Sequence, residues 1–186
     1  MYYAYSCLEG EKILVISLFD NIGRRWDAVY MLKTILFCCS PLLLQGCTSA
    51  PKSPTSVHDV GIDVRTETTL LVPSTEQTIQ WAELLRQIDG VDVVLLGELH
   101  DHTVGHAVQL AVVEDVMDAY PQSVLALEML ERDEQLRVDD YMEDFIDAKK
   151  LASITQSVNW GGKGGWSAWY QPIIDAAKER GGFVVA

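Results

Sequence analysis

The chain has 186 residues, of which 48% are hydrophobic and 22% charged, a composition that leaves room for one globular domain with its own core. Its formal net charge is −13 at pH 7, and because residues 1 to 46 carry equal numbers of basic and acidic side chains, the whole excess belongs to residues 47 to 186. A domain this acidic repels phosphate backbones, so we expect no nucleic-acid partner.

Residues 31 to 47 have the pattern of an exported bacterial lipoprotein. The basic residue Lys33 precedes about ten apolar residues, which are too few to span a bilayer. The following Leu44-Gln45-Gly46-Cys47 resembles the lipobox, in which the peptide is cut before the cysteine and the cysteine carries the lipid. We therefore expect a lipidated Cys47 and a true start at Met31. A buried helix that happens to end in cysteine is the alternative.

These features divide the chain into three parts. Residues 1 to 46 are interpreted as an upstream extension plus the signal peptide. Residues 47 to 69, which begin with a run rich in Ser, Thr and Pro, are predicted to be a flexible tether. Residues 70 to 186 are predicted to form the folded domain.

Helical and strand patterns alternate through that domain. A capping-box pattern from Ser74 to Gln77 predicts the start of a helix that ends at Asp89-Gly90. The apolar run 91–96 predicts a buried strand, and residues 106–119 predict a helix. Residues 123–128 predict a second buried strand, which is followed by a charged helix over 133–150.

The last elements complete an α/β pattern. Pro172 fits the first turn of a helix that ends at Gly181-Gly182, and residues 183–186 begin a third strand. Strands that alternate with helices indicate an α/β fold with a mainly parallel β-sheet flanked by helices. Because the chain stops inside an apolar strand, we expect the sheet to be incomplete at the C-terminus.

Chemically active side chains follow the first two strands. Glu98 and Glu128 come where these strands end, and the carboxyl ends of parallel strands meet at one rim of a sheet. Three of the four histidines, His100, His102 and His106, follow Glu98 within a few residues. Imidazole and carboxylate are ligands of zinc, manganese and iron, and imidazole also binds haem iron. The plain alternative is a polar strand-to-helix loop in which Asp101 or Thr103 caps the helix.

An aromatic, glycine-rich stretch from 159 to 172 contains three of the five tryptophans. Trp160 and Trp166 could form a wall for a flat ligand such as a porphyrin, and Lys163 could pair with a propionate. Tyr170 could bind ferric iron as a phenolate. The alternative is that these aromatic residues are core anchors on a loop. The candidate haem- or metal-binding residues are therefore Glu98, His100, Asp101, His102, His106, Glu128 and Tyr170.

Several of these motifs together resemble the ChaN-like family of haem-binding lipoproteins, within the Tiki superfamily. The motifs are Gly97-Glu98-x-His100-Asp101-x4-His106-x2-Gln109, Ala126-Leu127-Glu128-Met129, Gln135, Trp160 and Tyr170-x-Pro172. The resemblance covers roughly residues 91 to 186. It implies an α/β domain that binds haem, pairs through the ligand as a homodimer and sits on the outer membrane. It also implies that Gly97 and Gln109 belong to the ligand pocket, beside the Trp160, Lys163 and Trp166 already named.

Two functions from different classes follow. The first is a lipid-anchored haem-binding protein in haem or iron uptake, which would not be an enzyme. The second is a metal-dependent hydrolase, because other Tiki relatives use a Gly-x-x-His turn and a glutamate in proteolysis. In that case a bound Mn, Co or Zn ion would activate water at Gly97-x-x-His100.

Overall fold

The computed structural model describes residues 2–7, 13–19, 54–72 and 75–186. The predicted signal peptide with Met31 and Cys47, and the predicted helix cap Ser74, lie outside these residues. Among the helices described, none is both long enough and apolar enough to cross a membrane.

The described residues form both strands and helices, which confirms a mixed α/β fold. The strands are β1 (Tyr2–Cys7), β2 (Ile13–Phe19), β3 (Leu70–Val72), β4 (Gln77–Ile79), β5 (Val93–Leu96), β6 (Val124–Ala126) and β7 (Phe183–Val185). The α-helices are α1 (Val64–Glu67), α2 (Trp81–Ile88), α3 (Thr103–Ala119), α4 (Gln135–Met142), α5 (Ala148–Ile154) and α6 (Gln171–Glu179). Short 3-10 turns lie at Val57–Asp59, Arg132–Glu134 and Ser157–Asn159, and Trp166–Tyr170 forms a π-helical turn.

The strands form three small sheets, so the expected mainly parallel sheet is not what the structure shows. The parallel pairs are β2 with β5 and β6 with β7, whereas β1 with β2 and β3 with β4 are antiparallel. Strands β5 and β6 do not pair with each other. A cleft of about 1420 Å³ lies between them, and apolar residues of α3, including Val112, Val113 and Val116, also line it.

Strands β5, β6 and β7 also differ from the expected pattern on one face. Val93 and Leu95 of β5, Val124 of β6 and Phe183 of β7 are exposed, although the sequence predicts buried strands. Parallel strands are normally covered by helices on both faces. The opposite face of the β6–β7 pair is covered, since Val184 is buried.

Helix α2 begins later than the sequence predicts. Gln77–Ile79 forms β4 and pairs antiparallel with β3, and this pairing takes the predicted first turn out of the helix. The helix then starts at Trp81, after Gln80 as its N-cap residue, and ends beside Asp89 as predicted.

The predicted helix over 133–150 is two helices. Helix α4 ends at Met142, and Asp144 adopts a left-handed conformation with φ of 63°, which stops the helix. Asp147 then caps α5 by accepting a hydrogen bond from the Lys150 amide. The prediction for Pro172 is confirmed, because it lies in the first turn of α6.

Residues 54 to 69 pack against the domain, although they belong to the predicted tether. Val57 and Val64 are buried in the core. Arg65 donates through Nε and Nη2 to the Asp115 carboxylate of α3, and Asp115 also accepts a hydrogen bond from the Trp81 indole. These two charge-assisted hydrogen bonds from Arg65 hold residues 54 to 69 against α3, so the folded part begins before residue 70.

Candidate functional site

The turn between β5 and α3 carries the chemically active side chains. Oε1 of Glu98 accepts a hydrogen bond from Nδ1 of His100 at 2.5 Å and another from the Tyr170 hydroxyl at 2.9 Å. The Glu98 side chain is only 11% exposed. Its second oxygen, Oε2, is buried and has no hydrogen-bond partner among the described residues, and Nδ1 of His106 lies 3.5 Å from it. Glu98 is therefore the centre of the site.

His100 is the histidine of this turn that faces solvent. Its side chain is 64% exposed, and its ring centroid lies 6.1 Å from that of Trp160. Because Nδ1 is directed at the Glu98 carboxylate, Nε2 is the ring nitrogen that remains for a ligand among the residues that the structure describes. A carboxylate that fixes the tautomer and orientation of a histidine is the usual support of a metal-ligating imidazole.

His102 has a different position, as the N-cap residue of α3. Its Nδ1 accepts a hydrogen bond from the Gly105 amide at 2.9 Å. The sequence suggested that Asp101 or Thr103 would cap this helix, but the structure assigns the cap to His102. Asp101 is exposed in the turn. The capping bond occupies one of the two ring nitrogens of His102.

His106 is completely buried, and both of its ring nitrogens face oxygen atoms of the protein. Nδ1 lies 2.9 Å from Oε1 of Gln109, and Nε2 lies 3.2 Å from the carbonyl oxygen of His100. The ring stacks on Trp169 at 5.0 Å and meets the edge of Tyr170 at 4.9 Å. The structure thus leaves His106 no nitrogen for a ligand.

Tyr170 belongs to the interior, where it is 1% exposed. Burial, reinforced by the hydrogen bond to Glu98, raises the pKa of its hydroxyl above the usual value. The neutral phenol is therefore favoured, and its hydroxyl donates to Glu98. The π-helical turn brings both Trp169 and Tyr170 against His106, and such turns recur at functional sites.

The aromatic stretch divides into core anchors and one partly exposed residue. Trp166 is buried, and its indole donates to Gln171. Trp160 is partly exposed beside His100, and Lys163 is exposed in the glycine-rich loop. Sequence reasoning missed Trp169 as a site residue, because nothing in the sequence shows that its ring stacks on His106.

The remaining predicted residues lie around the cleft. Glu98, Glu128, Gln109 and Tyr170 all contribute to its lining, so the two carboxylates do meet at the same side of the molecule. The Gln109 amide donates to the carbonyl oxygen of Gly97 at 3.3 Å. The structure thus brings together most of the predicted site, with His102 and His106 engaged in internal hydrogen bonds.

Within the described ranges, no group of three or more His, Cys, Asp or Glu side chains is arranged to hold a metal ion. A haem iron, in contrast, needs only one or two axial ligands from the protein. The carboxylate-held imidazole of His100 fits that smaller requirement.

Comparison with known proteins gives the family. The sequence model of the family described as haem-binding uptake, Tiki superfamily, ChaN, matches residues 84–186, which is more than half of the chain. The chain therefore belongs to this family, as its motifs predicted. No curated protein and no solved structure matches the chain at a significant level.

Proposed function

We propose that the chain binds haem and that His100 is the axial ligand through its Nε2 atom. The observation that carries the proposal is the hydrogen bond from His100 Nδ1 to Glu98, which leaves Nε2 free on an exposed side chain. The family match supports haem as the cofactor. The donor set agrees with it, because an imidazole backed by a carboxylate is a strong ligand for iron.

The surroundings of His100 suit a flat, apolar ligand. Leu99, its neighbour in the chain, is 38% exposed, and the Trp160 ring lies 6.1 Å from the His100 ring. Both side chains offer apolar surface to a porphyrin face. Lys163 remains the predicted partner of a propionate and lies exposed in the glycine-rich loop.

The protein's own residues have distinct roles in this proposal. Haem, when bound, would supply an iron centre, and His100 would hold it. Glu98 holds the His100 ring in one tautomer, and Tyr170 holds Glu98 by donating to the same oxygen. The Tyr170 phenol keeps its proton, since its pKa is raised by burial and by Glu98. These roles are those of a carrier, and none requires chemistry on the ligand.

Titration with hemin tests the proposal. We expect the wild-type chain to shift and sharpen the Soret band at a one-to-one ratio and His100→Ala to bind at least about tenfold more weakly. His58→Ala is the matched control, because His58 is an exposed histidine outside the turn. A wild-type chain that leaves the hemin spectrum unchanged would exclude the proposal.

We also propose that the protein serves haem or iron uptake as a lipid-anchored protein of the outer membrane. The lipobox-like sequence that ends in Cys47 supports the anchor. A homodimer that forms through the ligand is part of the same proposal. Cys47→Ser should move the protein from the membrane fraction to the soluble fraction. If the wild-type protein is already soluble, the anchor is excluded while haem binding is not.

A further inference from the structure

We infer that His106 and Gln109 form a brace that positions Glu98 and His100 for ligand binding, and that neither of the two is itself a ligand. The inference rests on the proposed function and assigns positioning residues to the same site. It gives each histidine of the turn a separate role, in which His100 binds the ligand, His102 caps the helix and His106 positions the turn.

The brace contacts the backbone of the turn that carries the site at two positions, on either side of Glu98 and Leu99. Gln109 Nε2 donates to the carbonyl oxygen of Gly97, and His106 Nε2 lies 3.2 Å from the carbonyl oxygen of His100. The two side chains are joined to each other by the 2.9 Å contact between His106 Nδ1 and Gln109 Oε1. Because they are three residues apart on α3, they lie on one face of that helix.

The directions of these hydrogen bonds are fixed by chemistry. A backbone carbonyl oxygen only accepts, so Gln109 must turn its NH2 group to Gly97 and its oxygen to His106. His106 then faces an acceptor at each nitrogen. A phenyl ring in place of His106 can donate to neither oxygen, so it removes both contacts while it keeps the aromatic packing.

The brace is buried, whereas the turn that it holds is exposed. His106 is packed between Trp169 and Tyr170, and Gln109 is buried in α3. Leu99 and His100, in contrast, are exposed. His106 Nδ1 also lies 3.5 Å from Oε2 of Glu98, so the same ring restricts the positions of the His100 backbone and of the Glu98 carboxylate. A binding residue on an exposed turn keeps its geometry only when a buried neighbour holds it.

Hydrogen exchange in the haem-free chain tests the brace without the ligand. Gln109→Met keeps the length of the side chain but removes both hydrogen bonds, and His106→Phe keeps the aromatic packing. We expect the His102 amide, which donates to the carbonyl oxygen of Leu99 within the turn, to exchange at least about tenfold faster in both variants, while the amides of α6 keep wild-type rates. Hemin titration should then show a Kd raised by about 10- to 100-fold.

His102→Asn is the control, since asparagine also caps helices and the hemin Kd should stay unchanged. The inference is overturned if Gln109→Met exchanges like wild type, or if it exchanges faster but binds hemin with wild-type affinity. Should His106→Phe fail to fold, Gln109→Met decides alone. If the wild-type chain binds no hemin, the proposed function fails, and unchanged exchange in Gln109→Met would still separately refute the brace.

Discussion

Glu98 and His100 form a hydrogen-bonded pair across two positions of one turn, with 2.5 Å between Oε1 and Nδ1. The carboxylate is nearly buried, while the imidazole is mostly exposed. This pairing gives an exposed histidine a fixed tautomer, which a free surface histidine lacks. Substitutions in the pair and in the packing that supports it should therefore have separate, measurable effects.

Replacing Glu98 by glutamine should weaken haem binding. The amide oxygen can still accept from His100, but the negative charge that strengthens the imidazole as a ligand is lost. We expect the hemin Kd to rise by about 10- to 100-fold. Asp92→Asn, an exposed change before β5, is the control with the same loss of charge. Equal effects of the two variants would indicate a general electrostatic effect and refute the specific role of Glu98.

Tyr170→Phe should change the pH dependence of stability. The pKa of Tyr170 is raised in the folded chain, so the folded state keeps a proton that the unfolded state loses above its ordinary pKa of about 10. The stabilisation is complete below pH 10 and declines above it, by up to about 1.4 kcal/mol per pH unit. Urea unfolding should show that the free energy of unfolding falls more between pH 9 and pH 11 in wild type than in Tyr170→Phe. Equal losses in the two proteins would contradict the raised pKa of Tyr170.

Gly161→Ala should destabilise the aromatic loop more than Gly162→Ala does. Both glycines have φ near 70°, so both changes strain the backbone by about 1 kcal/mol. A Cβ at Gly161 would also lie 3.0 Å from the Trp169 ring, whereas Gly162 faces open space. We expect thermal unfolding to show an additional loss of at least about 1 kcal/mol for Gly161→Ala. The same melting temperature for both variants would contradict the packing of Trp169.

Asp115→Ala should release residues 54–69 from the domain. Asp115 accepts hydrogen bonds from both Arg65 and Trp81. Its loss leaves the Trp81 indole without this partner and leaves Arg65 with Glu114 and the Ala111 carbonyl oxygen only. We expect a loss of about 2 kcal/mol in the free energy of unfolding and faster trypsin cleavage after Arg65. Arg86→Ala is the control, because its exposed ion pair with Glu83 contributes little. If trypsin cleaves after Arg65 as fast in the wild-type chain as in Asp115→Ala, residues 54–69 are the free tether that the sequence predicted.

Local patterns predicted the elements that carry the site. The β-branched run that forms β5 and the apolar periodicity of α3 are properties of neighbouring residues, and both elements formed close to their predicted positions. The position of Glu98 and His100 on the connecting turn followed from these elements. The family followed from the spacing of motifs along the chain.

The features that could not be predicted from the sequence depend on contacts between residues that are far apart in the chain. Strand β5 pairs with β2, whose residues the sequence assigned to an upstream extension, and nothing local indicates that pairing. The roles of the three histidines likewise depend on distant groups. His106 is held in the interior by contacts with Gln109 and Trp169, and only folding brings Trp169 next to His106.

The most direct test of the central claim is rescue of His100→Ala by free imidazole. Ferric haem bound to the wild-type chain should show an imidazole-ligated absorption spectrum, which His100→Ala should lose. Adding imidazole should restore that spectrum, because the small molecule replaces the missing ring. A His100→Ala variant whose ferric spectrum and hemin affinity equal those of wild type without imidazole would contradict the assignment of His100 as the ligand.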